Sequence, residues 1–413
     1  MSPMETTLDA NEISLAINGG APVCDGLKGR WPQFSDIEMG AVQAVMASGK
    51  VNYWTGQEGR EFEKEFSRYV GTAHAVALAN GTLALELALE ALGIGPGDEV
   101  IVPTRTFIAT ASAVVAKGAT PVIADVDLVT QNISVETIRD CVSEKTKAII
   151  CVHLGGWPCD MDAIMAFAKE YSLYVVEDCA QAHGAFYKGR SVGSLGDVAA
   201  FSFCQDKIMS TLGEGGMLTT NNQSLWKKAW AYKDHGKSYD RVYHATHPVG
   251  FRWLHEGFGS NYRLTEAQSA VGRIQLKNLN ETVKARTENA SFLTGRLATI
   301  PGLRTISIPG DIRHAFYKYY VFVDPKALRA GWDRDRINDA INQEGIPCIN
   351  GSCSEIYKEK AFQQFPDQHE LKLPNAIQLG QISLCFQIHP TLQPEDLENT
   401  AAAIEKVMRI ASA

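Results

Sequence analysis

The chain has 413 residues, 45% of them hydrophobic, and a formal charge of −8. That length suits two or three ordinary domains or one large α/β domain with an appendage, and the acidic balance argues against nucleic acid or an anionic membrane as the main partner. No run of about 18 apolar residues occurs, so no membrane-spanning helix is expected. The polar, acidic start lacks a basic, apolar leader, and the nine cysteines form no C-x-x-C pair. Both features fit a reduced, cytoplasmic protein, and the ten histidines show no zinc-ligand spacing with cysteine.

Residues 1 to about 30 read as a polar arm. Helical spacing follows over 36–48, then a turn at Trp54-Thr55-Gly56, then an amphipathic helix over 60–70 with Phe62, Phe66 and Tyr69 on one face. From residue 73 short apolar runs alternate with helical segments: 75–79 then 83–92, 100–102 then 106–116, 121–124 then 135–142, 148–152 then 162–171, and 173–176. This βα alternation predicts a mostly parallel sheet buried by helices on both faces. Ligands of such sheets bind at the carboxyl ends of the strands. Polar residues just after the apolar runs are therefore the candidates for chemistry.

The first candidate is Asn80-Gly81-Thr82, between a strand and a helix. A helix N-terminus offers unpaired N–H groups to a phosphate, although Asn and Thr are also ordinary caps. Phe107, after the strand 100–102, can stack on a flat ring or simply be core. Glu177-Asp178-Cys179-Ala180-Gln181 follows the strand 173–176. A carboxylate there can hold a pyridinium nitrogen protonated; metal binding and helix capping are the other readings of Asp178.

The stretch 199–220 reads as a strand, a loop carrying Lys207, a Gly-Glu-Gly-Gly turn and a second apolar run. A lysine amine held beside apolar residues can attack a carbonyl to form a Schiff base; as an isolated residue Lys207 also reads as a solvated loop lysine. Ser202 lies on the strand leading to it and can donate to a phosphate or be a plain strand serine. Asn261 precedes a helix and is either a further phosphate contact or a cap. Together these residues supply a phosphate cup, a stacking ring, a carboxylate and an amine, in chain order at successive strand ends.

Residues 223–260 read as helix and long loop, and 264–284 as a helix. A strand-like run over 314–324, a helix near 333–344 and a final helix over 394–410 suggest a smaller α+β unit. The expected division is 1–280, arm and large cofactor-binding unit, and 281–413, small C-terminal unit.

The stretches N-G-T (80–82), V-E-D-C-A-Q-A-H-G-A (176–185), S-L-G-D-V-A-A-F-S-F-C-Q-D-K (194–207), G-E-G-G and G-S-N-Y-R-L-T-E-A-Q (259–268) resemble the DegT/DnrJ/EryC1/StrS family of sugar aminotransferases. The resemblance runs from about residue 56 to the last helix. It implies a fold-type I, aspartate-aminotransferase-like α/β fold, a homodimer, and pyridoxal 5′-phosphate bound to Lys207. It further implies that Asp178 holds the pyridine nitrogen, Gln181 meets the ring hydroxyl region, Phe107 stacks on the ring, and Gly81, Thr82 and Ser202 bind phosphate. Asn261 would reach the phosphate from the other subunit.

The implied reaction moves an amino group from glutamate or glutamine to a keto sugar, in particular one linked to a nucleotide, with a keto-cyclitol as the other acceptor. Cys204 stands where many members carry histidine. Members that act as dehydratases replace the lysine by histidine; Lys207 is intact, which favours transamination over that branch and over a binding protein without turnover. Arg252 and Arg263, and the loops 24–35, 185–192 and 235–258, are the expected surroundings of the substrate.

Overall fold

The structure is a computed structural model and describes residues 14–413, so the start of the polar arm lies outside the described residues. Two helices, α1 (Asp36–Ser48) and α2 (Glu58–Val70), precede the βα series. That series runs β1 (His74–Leu78), α3 (Gly81–Leu92), β2 (Glu99–Pro103), α4 (Ala109–Ala116), β3 (Thr120–Ala124), α5 (Val135–Ile138), β4 (Thr146–Val152), α6 (Met161–Tyr171) and β5 (Tyr174–Asp178). A short hairpin, β6 (Phe186–Tyr187) and β7 (Arg190–Ser191), leads to β8 (Val198–Ser202) and β9 (Gly216–Thr220). Helices α7 (Gln223–Lys233), α8 (Tyr239–Tyr243) and α9 (Glu266–Leu297) follow.

The central sheet has the order β1-β9-β8-β5-β4-β2-β3. Every neighbouring pair is parallel except the two made by β9, which runs antiparallel to both β1 and β8. Side chains alternate faces along each strand, and this sorts the core into two bodies. Ala75, Ala77, Ile101, Ile149, Cys151, Ala199 and Phe201 face one body, with Phe62 and Phe66 of α2, Ile164 and Phe167 of α6 and Leu276 of α9. Val76, Leu78, Val100, Val102, Ala148, Ile150, Val198 and Ala200 face the other, with Leu85 and Leu89 of α3, Val114 of α4 and Trp230 of α7. Both faces are covered, as a parallel sheet requires.

The remaining chain folds β10 (Leu303–Thr305), β11 (Ile312–Arg313), β12 (Tyr319–Val323), α10 (Arg334–Gln343), β13 (Cys348–Ile349), α11 (Pro366–His369), α12 (Pro374–Ile382), β14 (Ser383–Phe386) and α13 (Pro394–Ala411). An antiparallel sheet, β10-β12-β14-β13, is backed by Ile337 and Ile341 of α10 and Ile404 and Val407 of α13. Helix α9 runs 13 residues beyond the expected end at 284, because Ala290, Leu293 and Leu297 continue its buried stripe. Position 280 lies inside this helix. The expected strand 314–324 shortens to β12. Residues ahead of it hook onto the turn after β4 instead: Ala315 N donates to Gly156 O and Tyr317 N to Gly155 O, each at 2.9 Å. Among the described residues no helix is long and apolar enough to cross a membrane.

Candidate active site

A cavity of about 840 Å³ opens at the carboxyl ends of β1, β2, β5 and β8 and is closed on one side by residues 317–320 and 349–359 of the C-terminal part. Gly81, Thr82, Phe107, Asp178, Gln181, Ser202 and Lys207 all line it. Seven of the eight expected site residues thus meet in one space. The eighth, Asn261, is exposed and does not line this cavity; it makes an isolated bridge to Asp234.

Asn80 caps α3 by accepting from Leu83 N at 2.9 Å, so the N–H groups of Gly81 and Thr82 remain at the helix mouth, at the positive end of its dipole. Ser202 ends β8 directly against them: a Cβ placed on Gly81 would lie 2.5 Å from Ser202 Cβ. Only glycine lets these two elements approach so closely. The result is a compact donor cup that fits a phosphate.

Asp178 closes β5 and is 5% exposed. Thr110 Oγ1 donates to its Oδ2 at 3.1 Å and Ala180 N to its Oδ1 at 3.1 Å. Burial raises its pKa, while those two donors and the Lys207 charge pull the other way. A buried carboxylate in this setting favours a cationic partner. Gln181 Oε1 accepts from Gly155 N at 2.7 Å, which turns its amide nitrogen the other way. Phe107 is 69% exposed although it lines the cavity, so its face is open to a flat ring. Phosphate cup, buried acid, open aromatic face and amine therefore all fit pyridoxal phosphate.

Lys207 sits in the loop between β8 and β9, with its side chain 17% exposed. Its Nζ donates to the Tyr317 hydroxyl at 3.2 Å and lies 3.7 Å from Asp206 Oδ1. Trp31 Nε1 donates to its backbone carbonyl at 2.8 Å. Tyr317, Asp206, Trp31 and Thr110 were not among the sequence candidates. No local signal marked Tyr317, which is one of three tyrosines in the run 314–324.

Of the loops expected around the substrate, 24–35 does not line the cavity, although its Trp31 bonds the Lys207 carbonyl. Residues 185–192 instead form the β6–β7 hairpin, which pairs with β11. Neither that hairpin nor 235–258 lines the cavity. Arg252 does not line it either, and Arg263 is tied to the buried Asp234 at 2.8 Å, so its charge serves the scaffold. The cations that line the cavity are Lys207 and Lys318.

Beside Asp178, Glu177 points to the other face of the strand and is fully buried. Its carboxylate accepts from Gly193 N, Leu195 N and Gly196 N at 2.7–2.8 Å and meets His153 Nε2 at 3.1 Å. Cys159 N donates to His153 Nδ1 at 3.0 Å, which places the ring proton on Nε2. His153, Glu177 and Cys179 have ligand atoms within 4.8 Å of one another. The histidine and glutamate atoms are committed to these bonds, so the cluster reads as a structural knot.

Fold and site together define a pyridoxal phosphate enzyme of fold type I. The family model described as the DegT/DnrJ/EryC1/StrS aminotransferase family matches residues 32–405. The crystal structure of an aminotransferase from Psychrobacter cryohalolentis is 54% identical, with a TM-score of 0.90, covering 92% of this chain and 98% of that one. GDP-perosamine synthase of Caulobacter vibrioides is 43% identical over 86% of this chain and 92% of its own length. Spore coat polysaccharide biosynthesis protein SpsC of Bacillus subtilis is 36% identical over 92% of this chain and 96% of its own length. The chain belongs to the DegT/DnrJ/EryC1/StrS family and is a pyridoxal phosphate-dependent aminotransferase.

Proposed function

We propose that this enzyme transfers an amino group from glutamate or glutamine to a keto sugar carried on a nucleotide. The observation that carries the reading is the meeting of Lys207, Asp178 and the Gly81–Ser202 contact in one cavity large enough for cofactor and sugar together. The relative named for GDP-perosamine supports a nucleotide-linked acceptor.

Bound pyridoxal phosphate supplies an aldehyde that engages amines and a ring that accepts the electron pair released at the donor's α-carbon. Lys207 Nζ is the amine that engages that aldehyde in the resting enzyme. Once free, it takes the proton from the donor's α-carbon as general base and returns a proton as general acid. Asp178 keeps the ring nitrogen protonated, and Phe107 orients the ring by stacking. Gly81, Thr82 and Ser202 hold the phosphate, and Gln181 addresses the ring hydroxyl with its amide nitrogen. Asn261 faces outward on its own chain, which supports a contribution to the site of a second copy in a homodimer.

The Lys207→Ala variant should lose the visible absorbance of the purified enzyme and all amino transfer. Mass spectrometry of glutamate or glutamine reactions with candidate keto-sugar nucleotides should show one donor consumed per amino sugar formed. A Lys207→Ala variant with full turnover would refute the assignment.

A further inference from the structure

Two groups around Lys207 have no task in the mechanism above. Lys207 Nζ donates to the Tyr317 hydroxyl at 3.2 Å, and that hydroxyl donates in turn to Asp206 Oδ2. Nζ also lies 3.7 Å from Asp206 Oδ1, closing a triangle of three polar groups. Asp206 is the neighbour of Lys207 in the chain, whereas Tyr317 comes from 110 residues further on.

Tyr317 is brought there deliberately by the fold. Its own N–H bonds Gly155 O at 2.9 Å, and Gly156 admits the segment because a Cβ there would meet Phe316 N at 2.8 Å. Phe316 adopts a left-handed φ of 48°, a conformation an aromatic residue holds only when its surroundings impose it. The buried Arg286 supplies that constraint: its Nη1 donates to Phe316 O at 3.2 Å and Tyr317 O at 3.3 Å. The same guanidinium lies 5.3 Å from the Trp31 ring, and Trp31 holds the Lys207 carbonyl. Backbone and amine of Lys207 are therefore both fixed by groups anchored on Arg286.

We propose that Tyr317 and Asp206 form a parking place for the free amine of Lys207. It is the position that amine takes up once it has accepted the donor's proton, and it keeps that proton ready to be returned. The proposal rests on the reading of Lys207 as the reactive amine. Tyr317 has one hydroxyl proton, spent on Asp206, so toward Lys207 its oxygen can only accept. Burial first, and the Asp206 charge second, hold that phenol above its usual range and keep it neutral. Burial pushes Asp206 upward, but the Lys207 charge, the Tyr317 hydroxyl and the Lys318 charge outweigh it and leave the carboxyl below its usual value. The pair thus offers Lys207 a lone pair and a negative charge.

The other groups facing Lys207 are Asp178 at the end of β5, Lys318 beside Tyr317, and the buried His183, while the buried Arg286 faces Tyr317 and Asp206. Among the described residues Asp206 is the carboxylate that reaches within 4.0 Å of Nζ. Lys318 Nζ lies 4.9 Å from the centroid of the Tyr317 ring, and Lys207 Nζ lies 4.7 Å from it. The tyrosine ring thus touches two ammonium groups that repel one another, and Asp206 supplies the counter-charge.

The test reads Lys207 in the cofactor-free enzyme. Competitive acetylation with acetic anhydride at one fixed pH, followed by peptide mass spectrometry, gives the reactivity of this amine relative to a free-amine standard. Asp206→Asn should raise that reactivity about tenfold, the scale of an ion pair near 4 Å at a partly exposed site. Tyr317→Phe should raise it by less, and Lys318→Met, which removes a like charge, should lower it. A merely structural role would not give opposite signs. Equal reactivity in wild type and Asp206→Asn, in an enzyme whose Lys207→Ala variant is colourless, would overturn the parking place alone. A Lys207→Ala variant that keeps its colour would instead overturn the assignment of Lys207 on which it rests.

Discussion

Asp178→Asn is the sharpest test of the ring-nitrogen assignment. The amide keeps the shape of the side chain and leaves an oxygen to accept from Thr110, so the local packing at 5% exposure should survive. What disappears is the charge. Burial raises the pKa of Asp178, and the Ala180 N–H, the Thr110 hydroxyl and the Lys207 charge offset that effect. Removing one member of a buried charge pair costs about 3–5 kcal/mol, because the other charge is left uncompensated. At about 1.36 kcal/mol per decade of rate, the donor half-reaction should slow by roughly 10²- to 10⁴-fold. Stopped-flow absorbance with glutamate or glutamine as donor reads that rate directly. Cofactor retention after gel filtration should stay close to wild type, separating chemistry from binding. A half-reaction within about threefold of wild type would falsify the role given to Asp178.

Two further outcomes follow from the geometry. Gly81→Ala places a methyl group against Ser202 Cβ at 2.5 Å, which forces β8 and α3 apart. Cofactor affinity should fall at least about tenfold, as one displaced charge-assisted hydrogen bond is worth about 1.5–3 kcal/mol; fluorescence titration of the cofactor-free protein checks it. Burial depresses His183 and His314 to about 3 and His389 to about 4. Their folded pKa values lie below the unfolded value, so below about pH 6.5 the unfolded chain binds more protons. Stability from these groups is complete above about pH 6.5 and is lost as the pH falls toward 4–3, by about 2 kcal/mol per histidine at pH 5. The midpoint of thermal unfolding should drop between pH 7 and pH 5, and a flat profile there would contradict the burial argument.

The strand ends were readable because a buried parallel strand is a short apolar run, and the first polar residues after it stand out. Asp178 and Thr82 were singled out in that way, and Lys207 as the amine of the loop after the next strand; all three line the cavity. The direction of β9 was not readable, since an apolar run carries no arrow; the Gly-Glu-Gly-Gly turn could equally have led elsewhere. Tyr317 escaped for a different reason. Its place depends on Gly155 and Gly156 accepting a segment some 160 residues away, and no local pattern reports such a docking. The pairing of Arg263 was not readable, because a charge in a polar loop looks available until its buried partner, Asp234, is seen. The length of α9 was underestimated because its second half buries a sparser stripe, interrupted by exposed polar positions.

Glu177 and Asp178 are successive residues with the same functional group, yet the pleat sends them to opposite sides of one sheet. One carboxylate lines the cavity, and the other ties down the 193–196 loop through three amides and also meets His153. A screen for lost activity would flag both positions alike, so screening would credit the enzyme with a catalytic acid it does not possess. Only a fold-sensitive measurement run in parallel separates the worker from its neighbour the mason.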